Sequence, residues 1–406
     1  MKKTIVPVVL FLAVFAVSIL FQKYTMILWE YRGLFLFSPD YFHEVFTHPW
    51  PLSNLIADFL VQFYYYPVLG ALLNALLAIA IYFCAGKVFR FIPGTFIPAA
   101  IACAAWFLAA RSIDLVPAVR IMLFTGLAAA VSHFAHYQPT TPVLWIEVLT
   151  AAAVCAFFIF AATDKTIAEK ESRARLNNAV LKSEWKEVLE IATPANAVKD
   201  KFLLPYALLA LGESGQLPYR IAEYPVTGPE DFDFGTYFDD GTLYFNEALA
   251  VCMSDYPEAI RSVFQMSCSC KHNTCFGALR SLVRYNALLG NRRLAEKYVS
   301  LLSRTVMNSS YGHGYLARMT EVRDSSQINT SWKAPVHSHD GLTNLEVAIN
   351  SGRVSKALLD RALCIFIVSG RQDLFLKNFE AVKQLYDPVP PIFAMQLDGG
   401  PNLLQP

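Results

Sequence analysis

The stretch FLVQFYYYPVLGALLNALLAIAIYFCAG, residues 59–86, decides the class of fold because it contains no Lys, Arg, Asp or Glu. A helix needs about 20 consecutive apolar residues to cross the hydrocarbon core of a bilayer, and this stretch exceeds that length. Four further runs are almost as apolar, so the sequence predicts about five membrane spans in all. The predicted spans are residues 4–21, 59–86, 91–110, 115–134 and 143–162.

Charge is divided unevenly along the chain. Residues 1–162 hold 8 of the 34 Lys and Arg and 6 of the 33 Asp and Glu, and residues 163–406 hold the rest. This division predicts a transmembrane domain over residues 1–162 and a water-facing domain over residues 163–406. The net charges of the two parts are +2 and −1. Neither part has the basic excess that is typical of a nucleic-acid-binding protein, so nucleic acid is excluded as a partner.

The orientation in the membrane follows from two opposing signals. The first span follows Lys2 and Lys3 and ends without the small residues of a cleavage site, which indicates an uncleaved signal anchor with a cytoplasmic N-terminus. An odd number of spans then exports the C-terminal domain. The basic residues within 165–175 favour a cytoplasmic domain instead, but acidic residues dilute them. We therefore expect a multi-pass protein of the cell membrane with an extracytoplasmic C-terminal domain.

The loop between the first two predicted spans, residues 22–58, combines acidic and aromatic residues. It is too long for a plain turn and too charged for a span. One hypothesis is that it binds a polar head group, with Glu30, Asp40 and Glu44 as candidate catalytic carboxylates. The alternative, which we favour, is an amphipathic helix lying at the membrane surface.

Beyond residue 163, apolar residues recur at intervals of three and four, which indicates helices. The clearest pair runs from Cys275 to Leu289 and from Asn291 to Arg304, with Gly290 in a tight turn between them. The same layout recurs around Gly215 and Gly370. This pattern resembles a tetratricopeptide-type helical hairpin, although the spacing of the glycines does not fit a strict repeat.

The chain resembles a family of uncharacterised bacterial multi-pass membrane proteins with a helical-repeat tail. The resemblance rests on FLVQFYYYPVLGALLNALL from Phe59, ALLALGESGQL from Ala207 and YNALLGNRRLAEKYVSLLSRT from Tyr285. It implies an all-α architecture, with a polytopic transmembrane bundle followed by a tetratricopeptide-like domain. It implies no catalytic chemistry.

One short segment carries candidate metal ligands. Cys268, Cys270, His272 and Cys275 form the pattern C-x-C-x-H-x-x-C, and thiolates with an imidazole are typical zinc ligands. Structural zinc sites usually have C-x-x-C pairs, which this segment lacks. If the domain is exported, a disulfide among these cysteines, Cys252 and Cys364 is the stronger hypothesis. We therefore expect neither a metal ion nor another cofactor.

Three functions are compatible with this organisation. The favoured one is a membrane anchor or scaffold, whose helical hairpins bind a protein or peptide partner. The alternative is an enzyme similar to polytopic lipid-linked glycosyltransferases, which would use acidic residues of the first loop. A transporter is disfavoured, because the spans show no internal repeat. Sequence signatures of nucleotide binding and of common hydrolases are absent, so an enzymatic activity is the weaker expectation.

Overall fold

The computed structural model describes residues 2–88, 96–112, 114–133, 144–234, 240–322 and 355–398. Within these ranges the chain is helical and contains no strand, which confirms the all-α prediction. It divides into two compact units. The first contains Met1–Arg175, Cys270–Val283 and Arg293–Leu316, and the second contains Leu176–Ser269, Arg284–Arg292 and Ala317–Pro406. The first unit therefore extends past the boundary predicted at residue 162 and includes two segments of the tail.

The helices of the described residues are numbered in chain order. The N-terminal ones are α1 Lys2–Phe21, α2 Lys23–Arg32, α3 Pro39–Thr47, α4 Pro51–Val61, α5 Pro67–Val88, α6 Ile97–Arg111, α7 Val116–His133, α8 Leu144–Thr163 and α9 Lys165–Leu181. They continue with α10 Trp185–Ile191, α11 Pro194–Lys199, α12 Leu204–Glu213, α13 Leu217–Arg220, α14 Asp240–Cys252 and α15 Tyr256–Cys268. The last are α16 Phe276–Leu288, α17 Arg292–Leu302, α18 His313–Val322, α19 Lys356–Val368, α20 Gln372–Val382 and α21 Pro391–Leu397.

The segment predicted as a span over residues 59–86 is broken near its start. It enters as the end of α4, passes through a 3₁₀ turn over Gln62–Tyr65, and becomes the long helix α5 only at Pro67. Tyr66 is extended, with φ −108° and ψ 107°, because the ring of a following proline disfavours the helical conformation. The uninterrupted apolar helix is therefore Pro67–Val88. The predicted limits at residues 91, 134 and 143 lie outside the described residues.

Length and composition support two or three membrane spans among the described residues. Pro67–Val88 and Val148–Leu181 are long and apolar enough to cross a bilayer. Ile5–Phe21 and Lys23–Arg32 pass the same criteria only as a pair, and the pair is bent by 79°. The apolar helices α6 and α7 are shorter. The coarse prediction of apolar helices is thus confirmed, while a count of about five spans remains a prediction.

A buried polar contact joins α1 to α5 inside the first unit. The Tyr64 hydroxyl donates to Asn74 Oδ1 at 2.5 Å, and Asn74 Nδ2 donates to Ser18 Oγ at 3.3 Å. All three side chains are buried. A buried amide needs such partners, because an unpaired one costs about 1–3 kcal/mol. Asn74 therefore fixes the register of α1 on α5.

Three helical pairs share one turn geometry, as the glycine pattern predicts. Gly215, Gly290 and Gly370 each follow a helix and have φ values of 68°, 75° and 69°. In each case the N–H of the next residue donates to the carbonyl five residues earlier, at 2.8, 2.8 and 2.9 Å. This hydrogen bond is characteristic of a Schellman cap, which requires a left-handed residue and so favours glycine. The three predicted turns are confirmed.

Replacing Gly370 by Ala tests this cap in the second unit. A Cβ at Gly370 meets no atom within 4 Å, so the cost comes from the left-handed backbone alone, about 1–2 kcal/mol. We expect a lower melting temperature for Gly370→Ala, measured by helical circular dichroism of the full chain in detergent. Gly212→Ala is the matched control, because its Cβ meets only atoms at 3.8 Å. Equal melting temperatures for the two variants would contradict the strain argument.

Candidate functional site

A buried ion pair joins the first loop to the tail within the first unit. Arg280 on α16 contacts Glu30 on α2 through two hydrogen bonds, with Nη1 2.5 Å from Oε1 and Nη2 2.8 Å from Oε2. The side chain of Glu30 is 1% exposed and that of Arg280 is 12% exposed. Asn308 Nδ2 donates to Glu30 Oε1 at 3.1 Å, and Asn308 Oδ1 accepts from Arg280 Nη1 at 2.7 Å. The three side chains form a closed hydrogen-bonded triangle.

The charge on Arg280 is secured by its surroundings. Burial by itself lowers the pKa of Arg280, and the charge and hydrogen bonds of Glu30 outweigh burial, so that the pKa lies above its ordinary value. The guanidinium carbon also lies 5.7 Å from the ring centre of Tyr31 and 5.5 Å from that of Tyr65, within the range of cation–π attraction. Both oxygens of the Glu30 carboxylate accept hydrogen bonds, from Arg280 and Asn308. This candidate catalytic carboxylate therefore has a structural role in the geometry observed.

A second cluster centres on His272, in the segment between α15 and α16. Its Nδ1 lies 3.0 Å from Glu44 Oε1, and its Nε2 lies 3.1 Å from Asp58 Oδ2. Lys271 Nζ donates to both oxygens of Asp58 at 2.9 Å, and the Tyr41 hydroxyl lies 3.0 Å from Asp58 Oδ2. The imidazole thus links one carboxylate on α3 to another on α4.

Exposure differs sharply among the members of this cluster. The side chain of His272 is 1% exposed and that of Asp58 10%, whereas that of Glu44 is 43% exposed. Glu44 is therefore the only one of the two carboxylates with substantial access to solvent. A solvent-facing carboxylate backed by a buried imidazole and a second carboxylate is an arrangement that can transfer a proton.

The surroundings of His272 favour the protonated form of its imidazole. Burial lowers its pKa, but the hydrogen bond and charge of Asp58 and the hydrogen bond of Glu44 raise it further than burial and Lys271 lower it. The pKa therefore lies above its ordinary value of about 6.5. The two facing carboxylates also favour the imidazolium, because only that form donates a hydrogen bond from both ring nitrogens. Burial and Asp58 together also raise the pKa of Tyr41, so its hydroxyl stays protonated.

Backbone hydrogen bonds connect the same two segments of the first unit. Phe276 N donates to the carbonyl of Gly33 at 2.8 Å, and Phe37 N donates to the carbonyl of Arg304 at 2.8 Å. Close to these, the N–H of Val306 donates to Gln62 Oε1 at 2.9 Å. Phe276, Leu279 and Leu302 are buried in the core that also contains Phe35 and Tyr41. The first loop and the two tail segments, Cys270–Val283 and Arg293–Leu316, therefore form one packed substructure.

The match to a family model covers most of the chain. A model described as a family of unknown function, DUF6057, matches residues 1–163 and 96–391. The chain belongs to this family. No curated protein and no solved structure matches the chain significantly. Membership of this family assigns no activity to the site.

The candidate zinc ligands are not gathered around one point. Cys270 and Cys275 are buried neighbours, while Cys268 is exposed and belongs to the other compact unit. Within the described ranges, no three His, Cys, Asp or Glu side chains are placed to hold a metal ion. All eight cysteines are free thiols. Burial above all, and then Cys270, raise the pKa of the Cys275 thiol, which makes it a poor nucleophile.

The three candidate carboxylates of the first loop have different positions. Glu30 lies in the ion pair with Arg280, Glu44 contacts His272, and Asp40 is exposed in the first turn of α3. The sequence treats Glu44 and His272 as members of two unrelated motifs, and the structure brings them together. It also adds Asp58 and Lys271. The adjacent Lys271 and His272 in a cysteine-rich loop are the sequence signal that could have indicated this cluster. Their partners Glu44 and Asp58 are more than 200 residues away.

Removing Arg280 should destabilise the first unit strongly. Arg280→Met leaves the Glu30 carboxylate buried without its cation, and breaking a buried pair from one side costs about 3–5 kcal/mol. Adding Glu30→Gln should restore most of the loss in thermal unfolding of the full chain. Lys383→Met is the control, because the Lys383 and Glu380 side chains are 58% and 69% exposed and such pairs contribute about 0–1 kcal/mol. Equal losses in Arg280→Met and Lys383→Met would refute this assignment.

The raised pKa of His272 predicts a stability that falls as pH rises. The folded state binds the His272 proton more tightly than the unfolded chain does. The contribution of this proton to the free energy of unfolding is therefore fully present below about pH 6.5 and is lost as pH rises through the raised pKa. We expect His272→Gln to remove this part of the pH dependence of unfolding, which lies above about pH 6.5. The exposed His313 supplies the control His313→Gln. A pH profile unchanged by His272→Gln would show that the imidazolium is not held as described.

Proposed function

We propose that this protein is a multi-pass membrane anchor whose tetratricopeptide-like helical hairpins bind a protein or peptide partner. The observation that carries the proposal is the repeated helix, left-handed glycine and helix geometry at Gly215, Gly290 and Gly370. Hairpins of this kind stack to form extended binding surfaces. The partner is expected to be a protein or a peptide, held near the lipid bilayer and involving no nucleic acid.

Exposed apolar side chains support the membrane part of the proposal. Several large hydrophobic side chains on the N-terminal helices are more than half exposed, which is costly in water and favourable in lipid. Two aromatic side chains, one in the first loop and one shortly after it, are exposed as well, as is typical of residues at a membrane surface. The apolar set includes Val9, Leu12, Phe83, Leu127, Val131, Trp145, Leu149 and Ile159, and the aromatic set includes Trp50 and Tyr66.

The contacts within the first unit favour one topology. The first loop and the tail segment touch through Glu30–Arg280 and Glu44–His272, and the backbone N–H groups of Tyr24 and Thr25 donate to Glu171 at 2.8 Å. Segments in contact must lie on the same side of the membrane. The proposal therefore needs an even number of spans between them. The five predicted spans meet this need, because one precedes the loop and four separate it from the tail. With Lys2 and Lys3 in the cytoplasm, loop and tail are extracytoplasmic.

A reporter fusion tests this topology. An alkaline phosphatase that requires disulfides, fused at the C-terminus, should be active, because the proposal places that end outside the cytoplasm. The same reporter fused after Lys87 should be inactive, because the proposal places the C-terminal end of α5 at the cytoplasmic face. The reverse pattern would invert the topology, and equal activities at the two positions would contradict the even count of spans.

A photo-crosslinking amino acid at exposed positions of the second unit tests partner binding. Tyr219 and Leu376, 48% and 42% exposed, are suitable sites in cells that express the full chain. We expect a reproducible protein adduct from these sites. Phe124 on α7, 52% exposed, is the control for contact with lipid. Failure to obtain an adduct that is specific to the tail sites would contradict the binding role.

The second candidate function is an enzyme similar to lipid-linked glycosyltransferases, and the contact between Glu44 and His272 favours it. Among the three acidic candidates of the loop, Glu44 combines exposure with a hydrogen-bond partner, His272, whose protonated form can supply a proton. In this role Glu44 is the general base, and Asp58 orients His272. The two functions separate experimentally, because Glu44→Gln leaves the helical hairpins intact.

Glu44→Gln distinguishes the two functions. If the protein is an enzyme, this change should reduce turnover of a lipid-linked sugar by about 10²–10⁴-fold and leave the tail adducts unchanged. Asp40→Asn is the control, because Asp40 is exposed and lies outside the His272 cluster. If the unmodified protein shows no turnover and the tail sites still give a specific adduct, only the scaffold role remains.

A further inference from the structure

A single basic side chain on α7 lies at the head of an exposed apolar stripe in the first unit. Arg120 is the only Lys or Arg within Val116–His133. Phe124, Leu127 and Val131 follow it after four, seven and eleven residues, a spacing that places all four on one face of the helix. These three side chains are 52%, 66% and 64% exposed. The face therefore combines one cation with a continuous apolar surface.

The length of this stripe matches one leaflet of a bilayer. From Arg120 to Val131 the helix rises about 16 Å, and half of a hydrocarbon core is about 15 Å thick. Arg120 lies near the N-terminal end of α7 and contacts Ser53 of the first loop. An acyl chain that lies along the stripe therefore places its head group at Arg120.

The guanidinium group of Arg120 is held from one side only. Its Nε donates to Ser53 Oγ at 3.3 Å, and Ser53 Oγ donates to the carbonyl of Trp50 at 2.8 Å. Ser53 is buried, whereas Arg120 is partly exposed. Neither terminal nitrogen of Arg120 has a hydrogen-bond or carboxylate partner within the part of the chain that the structure describes. These N–H groups are thus available to an anion.

Trp50 completes the surroundings of this group. It is 56% exposed, its ring centre lies 5.4 Å from that of Phe124, and its backbone is left-handed with φ 61°. A residue other than glycine is strained in this conformation, and such strain is concentrated at ligand sites. Trp side chains favour the head-group layer of a bilayer. The position of Trp50 therefore supports placing Arg120 where head groups and acyl chains meet.

We propose that Arg120 binds the phosphate of a membrane glycerophospholipid, with one acyl chain against Phe124, Leu127 and Val131. A guanidinium group matches two phosphate oxygens in bidentate hydrogen bonds. An isolated cation at the edge of a hydrocarbon core is costly, and the lipid phosphate neutralises it there. A glycerophospholipid fits better than a polyprenyl phosphate, because the stripe has the length of one leaflet and a polyprenyl chain is much longer.

Photo-crosslinking with defined lipids tests the site. The full chain is placed in uncharged maltoside micelles that contain a small fraction of phosphatidylglycerol or of diacylglycerol with the same acyl chains. One acyl chain of each lipid carries a diazirine, and labelled peptides are identified by mass spectrometry. Phosphatidylglycerol should label α7 about tenfold more than diacylglycerol does, because only phosphatidylglycerol carries the phosphate.

Helix α8 is the internal control for contact with any lipid. It exposes Leu149 and Ile159 and contains no Lys or Arg. Both lipids should therefore label α8 equally. A preference for phosphatidylglycerol that is confined to α7 identifies a site and not a general attraction of the chain to anionic lipid.

Arg120→Met assigns the preference to the guanidinium group. It retains an unbranched side chain and removes the cation, so labelling of α7 by phosphatidylglycerol should fall to the level of diacylglycerol while labelling of α8 stays unchanged. If this variant fails to fold, the comparison of the two lipids on the unmodified chain still decides. A photoreactive polyprenyl phosphate should label α7 less than phosphatidylglycerol does.

Three results would overturn the proposal. They are equal labelling of α7 by the two lipids in the unmodified chain, a preference that persists in folded Arg120→Met, and stronger labelling of α7 by the polyprenyl phosphate. The proposal rests on the membrane part of the proposed function. If that part fails, neither lipid labels α8 and both proposals fall, whereas failure of the Arg120 site alone leaves α8 labelled.

Discussion

The fold of the first unit depends on the buried pair of Glu30 and Arg280. A carboxylate that is 1% exposed and a guanidinium that is 12% exposed are each expensive to bury, and they are tolerable only because each satisfies the other in two hydrogen bonds. Asn308 completes the hydrogen bonds of the carboxylate. Since Glu30 lies in the first loop and Arg280 in the tail, the pair commits distant parts of the chain to one packed substructure.

Local patterns in the sequence were sufficient for the features that arise locally. The apolar run before Gly86 predicts α5, and the glycine spacing predicts the turns at Gly215, Gly290 and Gly370, because a left-handed cap depends only on nearby residues. The span predicted from Phe59 is not one continuous helix, since α5 begins only at Pro67. Pro67 interrupts the helical conformation between α4 and α5, and hydropathy alone does not detect such an interruption in an apolar segment.

The long-range contacts could not be predicted in this way. Glu44 and His272 are separated by 228 residues, and neither hydropathy nor spacing relates them. The cysteine-rich pattern predicts His272 as a possible metal ligand, and the composition of the first loop predicts Glu44 only as one of its carboxylates. In the structure His272 lies between Glu44 and Asp58, a contact that only the tertiary fold can supply.

The division of charge along the sequence thus has a more specific meaning than a division into two domains. Part of the charged tail belongs to the first unit, where Arg280 pairs with Glu30, and Lys271 and His272 pair with Asp58 and Glu44. Cross-linking of Phe37→Cys to Arg304→Cys tests this account most directly, because the backbones of these exposed residues are hydrogen bonded at 2.8 Å. The chain should carry Ser at the exposed Cys155 and Cys268 and a protease site within residues 235–239. A short bismaleimide applied in native membranes should keep the two cleaved halves together on a denaturing gel. Halves that separate although both cysteines react with a monofunctional maleimide would contradict the account.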